Sequence, residues 1–407
     1  MKLPELLCPA GSYEKMLAAF RYGADAVYLA GEDFGMRSAA KNFSLPELRR
    51  AVTYAHSIGK KVNLTVNIMP HGDAYPALRR FFRALRDTPP DALIISDLGV
   101  FQLAGELLPD VDRHVSTQAS CVSAEACCAW YQLGAKRVIL ARELTLDEIR
   151  SIRKKTPKRL ELEAFIHGSM CVSYSGRCLL SNYLTGRDSN RGSCTQPCRW
   201  NFVISEEKHA GEKLPVYEDE GTFIMSSRDL SMIEHIPELV DAGLSCLKIE
   251  GRMKSAYYAA VTANTYRMAL DTYARDGESY RFDPRWNEEL DSVSHREYST
   301  GYYFSSTFEN VNTVTSPGYI REKAYLAEAL SDSDTSGFAL FQQHNKLTAG
   351  ETVELLIPGQ VGIPFRVDQI FDPDGYSIPS TPHPLQQYRI HVPVPVTAGC
   401  ILRTSNR

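Results

Sequence analysis

Through the first two-thirds of the chain, short apolar runs alternate with longer stretches of helical periodicity. The apolar runs at 5–9, 26–30, 62–68, 92–96, 114–117, 137–141, 160–166 and 246–249 read as strands. The stretches at 13–22, 45–58, 75–85, 100–107, 124–133, 146–155, 231–242 and 255–275 place apolar residues on one helical face. Ser12 and Ser44 stand where helix N-caps belong, and Gly23, Gly59 and Gly134 stand where helices stop. Eight strand–helix units in succession imply a parallel sheet. Packed into residues 1–275, they predict an α/β protein built on a (β/α)8 TIM-like barrel. A doubly wound open sheet is the rival, weakened because no Gly-x-Gly-x-x-Gly follows the first strand.

The alternation breaks once. After the seventh strand, residues 168–222 form an insertion far longer than the usual connection of about two to six residues. Its place in the order puts it at the C-terminal mouth of the barrel, where active sites of this architecture lie. Residues 276–317 are polar and aromatic and read as a connector packed on the barrel. From 318 to 407, short β-like runs (337–341, 352–357, 364–367, 389–392) alternate with Gly, Pro and Asp turns, which predicts a small all-β barrel domain.

Composition narrows the classes. The apolar share, 43% of 407 residues, is that of an ordinary globular protein. A net charge of −4 says nothing in favour of a protein that coats nucleic acid, so an RNA partner would need a local basic patch. No export signal or membrane-length apolar run is visible, and no membrane association is expected. Ten cysteines without such a signal point to a reducing cytoplasm.

Four of those cysteines change the picture: Cys171, Cys178, Cys194 and Cys198, separated by six, fifteen and three residues within the insertion. They lie among Gly, Ser, Arg and Asn, unlike Cys8, Cys127, Cys128 and Cys246, which sit in apolar surroundings and read as buried hydrophobes. Four soft thiolates on one loop make a metal or iron–sulfur site. Zinc sites usually combine two short cysteine pairs, and only Cys194 and Cys198 are that close, so the spacing favours iron–sulfur over zinc. Polar residues recur where the strands end: Asn67, Asp97, Ser116, Gln118, Arg142, Glu143, His167, Glu250 and Arg252. His167, Glu250, Arg252 and Arg142 are the candidate catalytic residues, and Arg177, Gln118 and Asn67 the candidates for holding a cofactor or co-substrate. Asp97 serves equally well as a helix cap. Arg177, Arg187, Arg191 and Arg199 crowd the insertion and suit carboxylates, phosphates or plain solvent.

The motif Glu163-x-Phe165-x-His167-Gly168, followed by Cys171, Tyr174-Ser175-Gly176-x-Cys178 and Ser181, resembles the collagenase-like peptidase family of uncatalogued mechanism. The longer run SNYLTGRDSNRGSCTQPCRW, with VSTQAS, VILARELTLDEI and LKIEGRMKSAYY elsewhere, is similar to that family's tRNA uridine 5-hydroxylation branch. The resemblance implies that the four cysteines hold a 4Fe–4S cluster. It implies oxygen-independent hydroxylation of a wobble uridine, with a tRNA anticodon arm as partner and prephenate, a small dicarboxylate, as co-substrate. An electron donor or helper protein is left unnamed by it. Where relatives place a ligand cysteine further downstream this chain has Ser231, so Cys198 is the expected fourth ligand. Hydroxylation of ribosomal RNA or of a quinone precursor, as in other branches, remains an alternative. So does the peptidase activity of the family name, although the chain has neither His-Glu-x-x-His nor Gly-x-Ser-x-Gly.

Overall fold

The computed structural model describes residues 3–36, 42–200, 203–204, 214–215, 227–305 and 319–405. Its first half repeats one unit. Strands β1 (Glu5–Pro9), β2 (Ala26–Ala30), β3 (Lys61–Val66), β4 (Ala92–Ile95), β5 (Asp112–Val115), β6 (Arg137–Ile139) and β7 (Glu161–Ser169) alternate with helices α1 (Tyr13–Arg21), α2 (Leu45–Ser57), α3 (Tyr75–Ala84), α4 (Leu98–Leu107), α5 (Ala124–Gln132) and α6 (Leu146–Lys155). Local chemistry sets the helix starts. Ser44 with Glu47, and Thr145 with Glu148, form reciprocal capping boxes. Asp97 caps α4 through the Val100 amide.

The insertion holds α7 (Leu180–Thr185), a two-residue ribbon of β8 (Val203–Ile204) and β9 (Leu214–Pro215), and two short 3-10 turns. Its remaining residues at 201–202, 205–213 and 216–222 lie outside the described residues, as do 306–317 of the expected connector. Then come β10 (Asp229–Ser231), α8 (Ile236–Asp241), β11 (Cys246–Ile249), α9 (Ala256–Asp276), α10 (Arg285–Asp291) and β12 (Tyr298–Ser299). β1 to β7 pair in parallel in sequence order, and β11 pairs in parallel with both β7 and β1. The eight strands therefore close into a barrel.

Two expectations shift. The helix expected at 231–242 starts at Ile236, because Pro237 suits a first turn and residues 229–231 are taken up as β10, antiparallel to the end of β7. The fifth strand ends at Val115, and Ser116 and Thr117 turn over the rim.

By compactness the chain forms two units. The first comprises 1–16, 25–254 and 295–319; the second comprises 17–24, 255–294 and 320–407. The second unit contains α9, α10 and a half-barrel of eight antiparallel strands: β13 (Tyr325–Ala329), β14 (Phe338–Gln343), β15 (Thr352–Leu356), β16 (Ile363–Arg366), β17 (Ile370–Phe371), β18 (Ser377–Ile378), β19 (Gln387–His391) and β20 (Ile401–Thr404). Their spatial order is β16-β15-β20-β13-β14-β19-β17-β18. Leu326, Phe341, Leu355, Tyr388, Ile390 and Leu402 fill its core. Arg403, fully buried, is held there by Glu289 at 2.6 Å and Glu354 at 2.8 Å. Among the described residues, no helix is long and apolar enough to cross a membrane.

Beneath the barrel mouth the lumen holds a charged layer. Glu163 is fully buried and receives Lys248 Nζ at 3.0 Å and Arg137 Nη1 at 3.0 Å; Arg137 also reaches Glu5 at 2.9 Å and Glu161 at 2.7 Å. Buried charges persist only when paired this completely. Glu163→Ala leaves Lys248 without its carboxylate, and we expect it to lower the unfolding free energy by about 3–5 kcal/mol. Chemical denaturation measures this, with the half-exposed Glu161→Ala expected to cost well under half as much.

Candidate active site at the barrel mouth

The C-terminal ends of the strands surround a cavity of about 530 Å3, counting space open to solvent. Its apolar lining is Tyr28, Met36, Ile94, Ile139 and Phe165; its polar lining includes Asn67, Gln118, Arg142, Lys248, Glu250 and Arg252. Five of the seven site residues expected besides the cysteines thus meet in one place.

Each polar residue is held differently. The Arg142 guanidinium lies 4.0 Å over the Phe165 ring, with Nη2 3.9 Å from Glu250. Its buried Nε has no hydrogen-bond partner among the described residues. Glu250 accepts from the Tyr28 hydroxyl at 3.0 Å, and burial together with that carboxylate pushes the Tyr28 phenol well up. Arg252 Nη1 donates to Thr65 at 3.0 Å. Asn67 accepts from the Met36 amide at 3.1 Å. Arg142 and Arg252, with Lys248 already paired to Glu163, face the Glu250 carboxylate over an aromatic floor, and guanidinium forks match carboxylates best. Lys248, Tyr28 and Phe165 were not foreseen. Lys248 had a signal, being a charge inside the apolar strand Cys246–Ile249.

His167 lies elsewhere. The pairing of β7 with β11 slips at Ile166, so that Lys248 faces Phe165 but Ile249 faces His167. An extra residue at this bulge reverses the side of the strand that follows. Phe165 lines the cavity, whereas the His167 ring packs 5.3 Å from Tyr298, which stacks on His295 at 4.3 Å. Burial, assisted by His295 and Lys254 and opposed by Asp229, pushes the His167 pKa down to about 3. Around it, Arg296 clamps Asp229 at 2.7 Å and ties β12 to β10.

The cysteine loop seats on the same rim. Ser175 receives the Arg142 amide on its hydroxyl at 3.4 Å, and its own amide donates to Glu143 at 2.8 Å. Ser120 donates to the Ser175 carbonyl, Arg177 Nε reaches Ser120 at 3.3 Å, and the Met69 amide donates to Asn190. Arg177 is exposed and stands outside the cavity lining. Gly176, at φ +78°, comes so close that an added Cβ would lie 2.1 Å from the Gln118 carbonyl.

Within the loop, Cys171 is exposed and Cys178, Cys194 and Cys198 are half-buried. Burial pushes the Cys198 thiol up, and so do Cys171, Cys194 and Cys178, each within electrostatic reach. The Gln196 amide donates to Cys194 Sγ at 3.3 Å. The donor set fits a thiolate-held group in kind and number. No three of the His, Cys, Asp or Glu residues among those described stand close enough to grip a single metal ion.

Two tests follow from this geometry. Gly176→Ala meets a backbone carbonyl and should lift the loop, seen as faster proteolysis within 171–200. Gly186→Ala, also at positive φ but with open space around it, should cost only about 1 kcal/mol and leave the cleavage rate nearly unchanged. The second test concerns pH. Folding holds His167 below its ordinary pKa of 6.5, so its neutral form contributes stability above that value. That contribution is lost at about 1.4 kcal/mol per pH unit as pH falls from 6.5 towards 3. Urea unfolding of wild type and His167→Asn between pH 7 and 5 should show the smaller slope in the variant.

The profile of peptidase family U32 matches residues 11–313, and that of the peptidase family U32 C-terminal domain matches residues 321–403. tRNA hydroxylation protein P1 of Bacillus subtilis (strain 168) is 36% identical over 385 residues, spanning 95% of this chain and 91% of that protein. tRNA hydroxylation protein P of Escherichia coli (strain K12) is 35% identical, spanning 96% and 94%. A protein named collagenase from Porphyromonas gingivalis (strain ATCC BAA-308 / W83) is 30% identical, again spanning 96% and 94%. Both profiles fall in order along the chain, one over the barrel with its cysteine loop and one over the half-barrel, and the chain belongs to peptidase family U32.

Proposed function

We propose that this protein hydroxylates a pyrimidine base in RNA: C5 of the wobble uridine of tRNA, without molecular oxygen. The observation that carries the reading is a loop bearing four thiols, seated directly on the rim of a cationic cavity. Relatives of near-equal length that are named tRNA hydroxylation proteins support the same substrate.

In this reading Cys171, Cys178, Cys194 and Cys198 hold a 4Fe–4S cluster, which is wider than a single ion and asks for thiols further apart. When bound, the cluster supplies one-electron chemistry to a C5 that is otherwise unreactive. Arg142 and Arg252 hold the carboxylates of a dicarboxylate co-substrate, prephenate, as the source of the hydroxyl. Phe165 and Tyr28 give the cavity an aromatic lining on which Arg142 and Lys248 rest, at 4.0 and 4.4 Å from the ring centroids. Tyr28 and Glu250, joined by a hydrogen bond, are placed to hold a proton beside the reacting base. A wobble base already lies in a single-stranded loop, so presenting it to the mouth costs little. A peptidase mechanism would need Cys171 as nucleophile, and Cys171 is one of the thiols gathered around Cys198.

Protein purified without air should carry iron and sulfide, and each cysteine-to-alanine variant at 171, 178, 194 and 198 should lose both. Cells lacking the gene, and any redundant second enzyme, should lose 5-hydroxyuridine and its derivatives from bulk tRNA digests, as read by mass spectrometry. Wild type should restore them; Cys178→Ala should not, and Arg142→Ala should restore less than about 10%. Stoichiometric zinc without sulfide, or unchanged tRNA, overturns the reading.

A further inference from the structure

The cysteine loop presents a surface that the cavity chemistry does not use. Residues 171–200 contain four arginines and one acidic residue, Asp188, in a chain whose net charge is −4. The same stretch exposes large aromatic side chains: Tyr183 is 86% exposed and Trp200 47%. A single exposed ring is ordinary, and what marks this stretch is rings and arginines on one short loop. α7, which carries Tyr183, packs on the 3-10 turn Pro197–Arg199 that leads into Trp200. From that turn Arg199 Nη1 donates to the Tyr319 hydroxyl at 2.6 Å, and Lys254 Nζ lies 4.2 Å over the Tyr319 ring. Tyr319 is itself 51% exposed. Arg187 is exposed just beyond α7. Tyr183 on α7 thus neighbours the turn that leads into Trp200, and from that turn Arg199, Tyr319 and Lys254 continue as a cation, a ring and a second cation.

We infer that this path is the landing surface for the single-stranded loop of the RNA substrate, an inference that rests on the function proposed above. The occupant follows from two complementarities. Every unpaired base has a π-face, and aromatic side chains stack on it without regard to sequence. Every nucleotide carries a phosphate, and spaced cations track such a backbone. A duplex hides its base faces and has no use for Tyr183 or Trp200. Tyr, Trp and Arg also anchor protein interfaces, so what selects RNA is the charge: four arginines against one acidic residue on this loop, in a chain of net charge −4, match a phosphate backbone. The surface also explains how a mildly acidic protein engages RNA: the positive charge is concentrated at the loop that sits on the catalytic rim, so docking delivers one splayed base towards the cavity.

The test uses the full-length, anaerobically purified protein and fluorescence anisotropy with three probes: a short RNA stem–loop with uridine in its loop, an unstructured single strand, and a duplex of equal length. Wild type should bind the first two at least tenfold more tightly than the duplex. Tyr183→Ala should weaken stem–loop binding about tenfold and Tyr183→Phe should leave it near wild type. Arg187→Ala should lower the slope of log affinity against log salt by about 1. Iron and sulfide contents equal to wild type establish that the loop is intact in each variant. Unchanged affinity in both Tyr183→Ala and Arg187→Ala, or equal affinity for duplex, overturns the landing surface while leaving the proposed reaction to the tRNA digest. An effect of Tyr183→Ala on self-association by light scattering, with RNA affinity unchanged, assigns the patch to a second copy and overturns it as well. If the tRNA digest is unchanged but the binding pattern is as expected, the surface stands and the reaction is wrong.

Discussion

Everything in the first unit depends on one strand serving two environments. β7 must close the barrel by pairing with β11, and it must also run past the rim to launch the cysteine loop. Nine residues do both because the pairing slips once, at Ile166. Up to the slip, Glu163 and Phe165 face the lumen and complete its charged and aromatic layers. Beyond it, His167 joins Tyr298 and His295, and Gly168 and Ser169 pair with β10. Two residues past the slip the chain needs a residue without a side chain: at Gly168, φ is +101° and a Cβ would lie 2.2 Å from the Glu250 carbonyl. The sequence His167-Gly168 is thus a geometric requirement before it is a chemical one.

The rim shows how backbone contacts substitute for a large interface. The loop is fastened through Ser175 to Arg142 and Glu143, and through Ser120 and Asn190 to neighbouring connections. Small residues are used where the chain passes close, and arginines where it meets water. This leaves the thiols near the mouth without filling it.

Much of this was legible in the residues. Periodicity located all eight barrel strands, and 246–249 coincides with β11, because parallel strands buried on both faces give unbroken apolar runs. The order of the elements put the cysteine loop at the mouth before any coordinates did. What periodicity cannot reveal is a change of face within a strand. His167 ends the seventh strand as Arg142 and Glu250 end theirs, so it was grouped with the rim residues; a bulge leaves no mark in composition. Lys248 was passed over for the converse reason, since a charge within an apolar run marks the lumen only once the strand is known to line a barrel. The strand at 229–231 was not foreseen, and Ser231 was read into the following helix, because a three-residue strand has too short a pattern to compete with the apolar face that follows.

The Ser175 hydroxyl has a consequence of a thermodynamic kind. It is bonded to the main-chain amide of Arg142 while its own amide is held by Glu143, three residues before Cys178. The residue that offers a guanidinium to the cavity and the segment that carries a thiol therefore share one fastening. A displacement of the Arg142 main chain by a group in the cavity would therefore act on the seating of the loop, and linkage makes such an effect reciprocal.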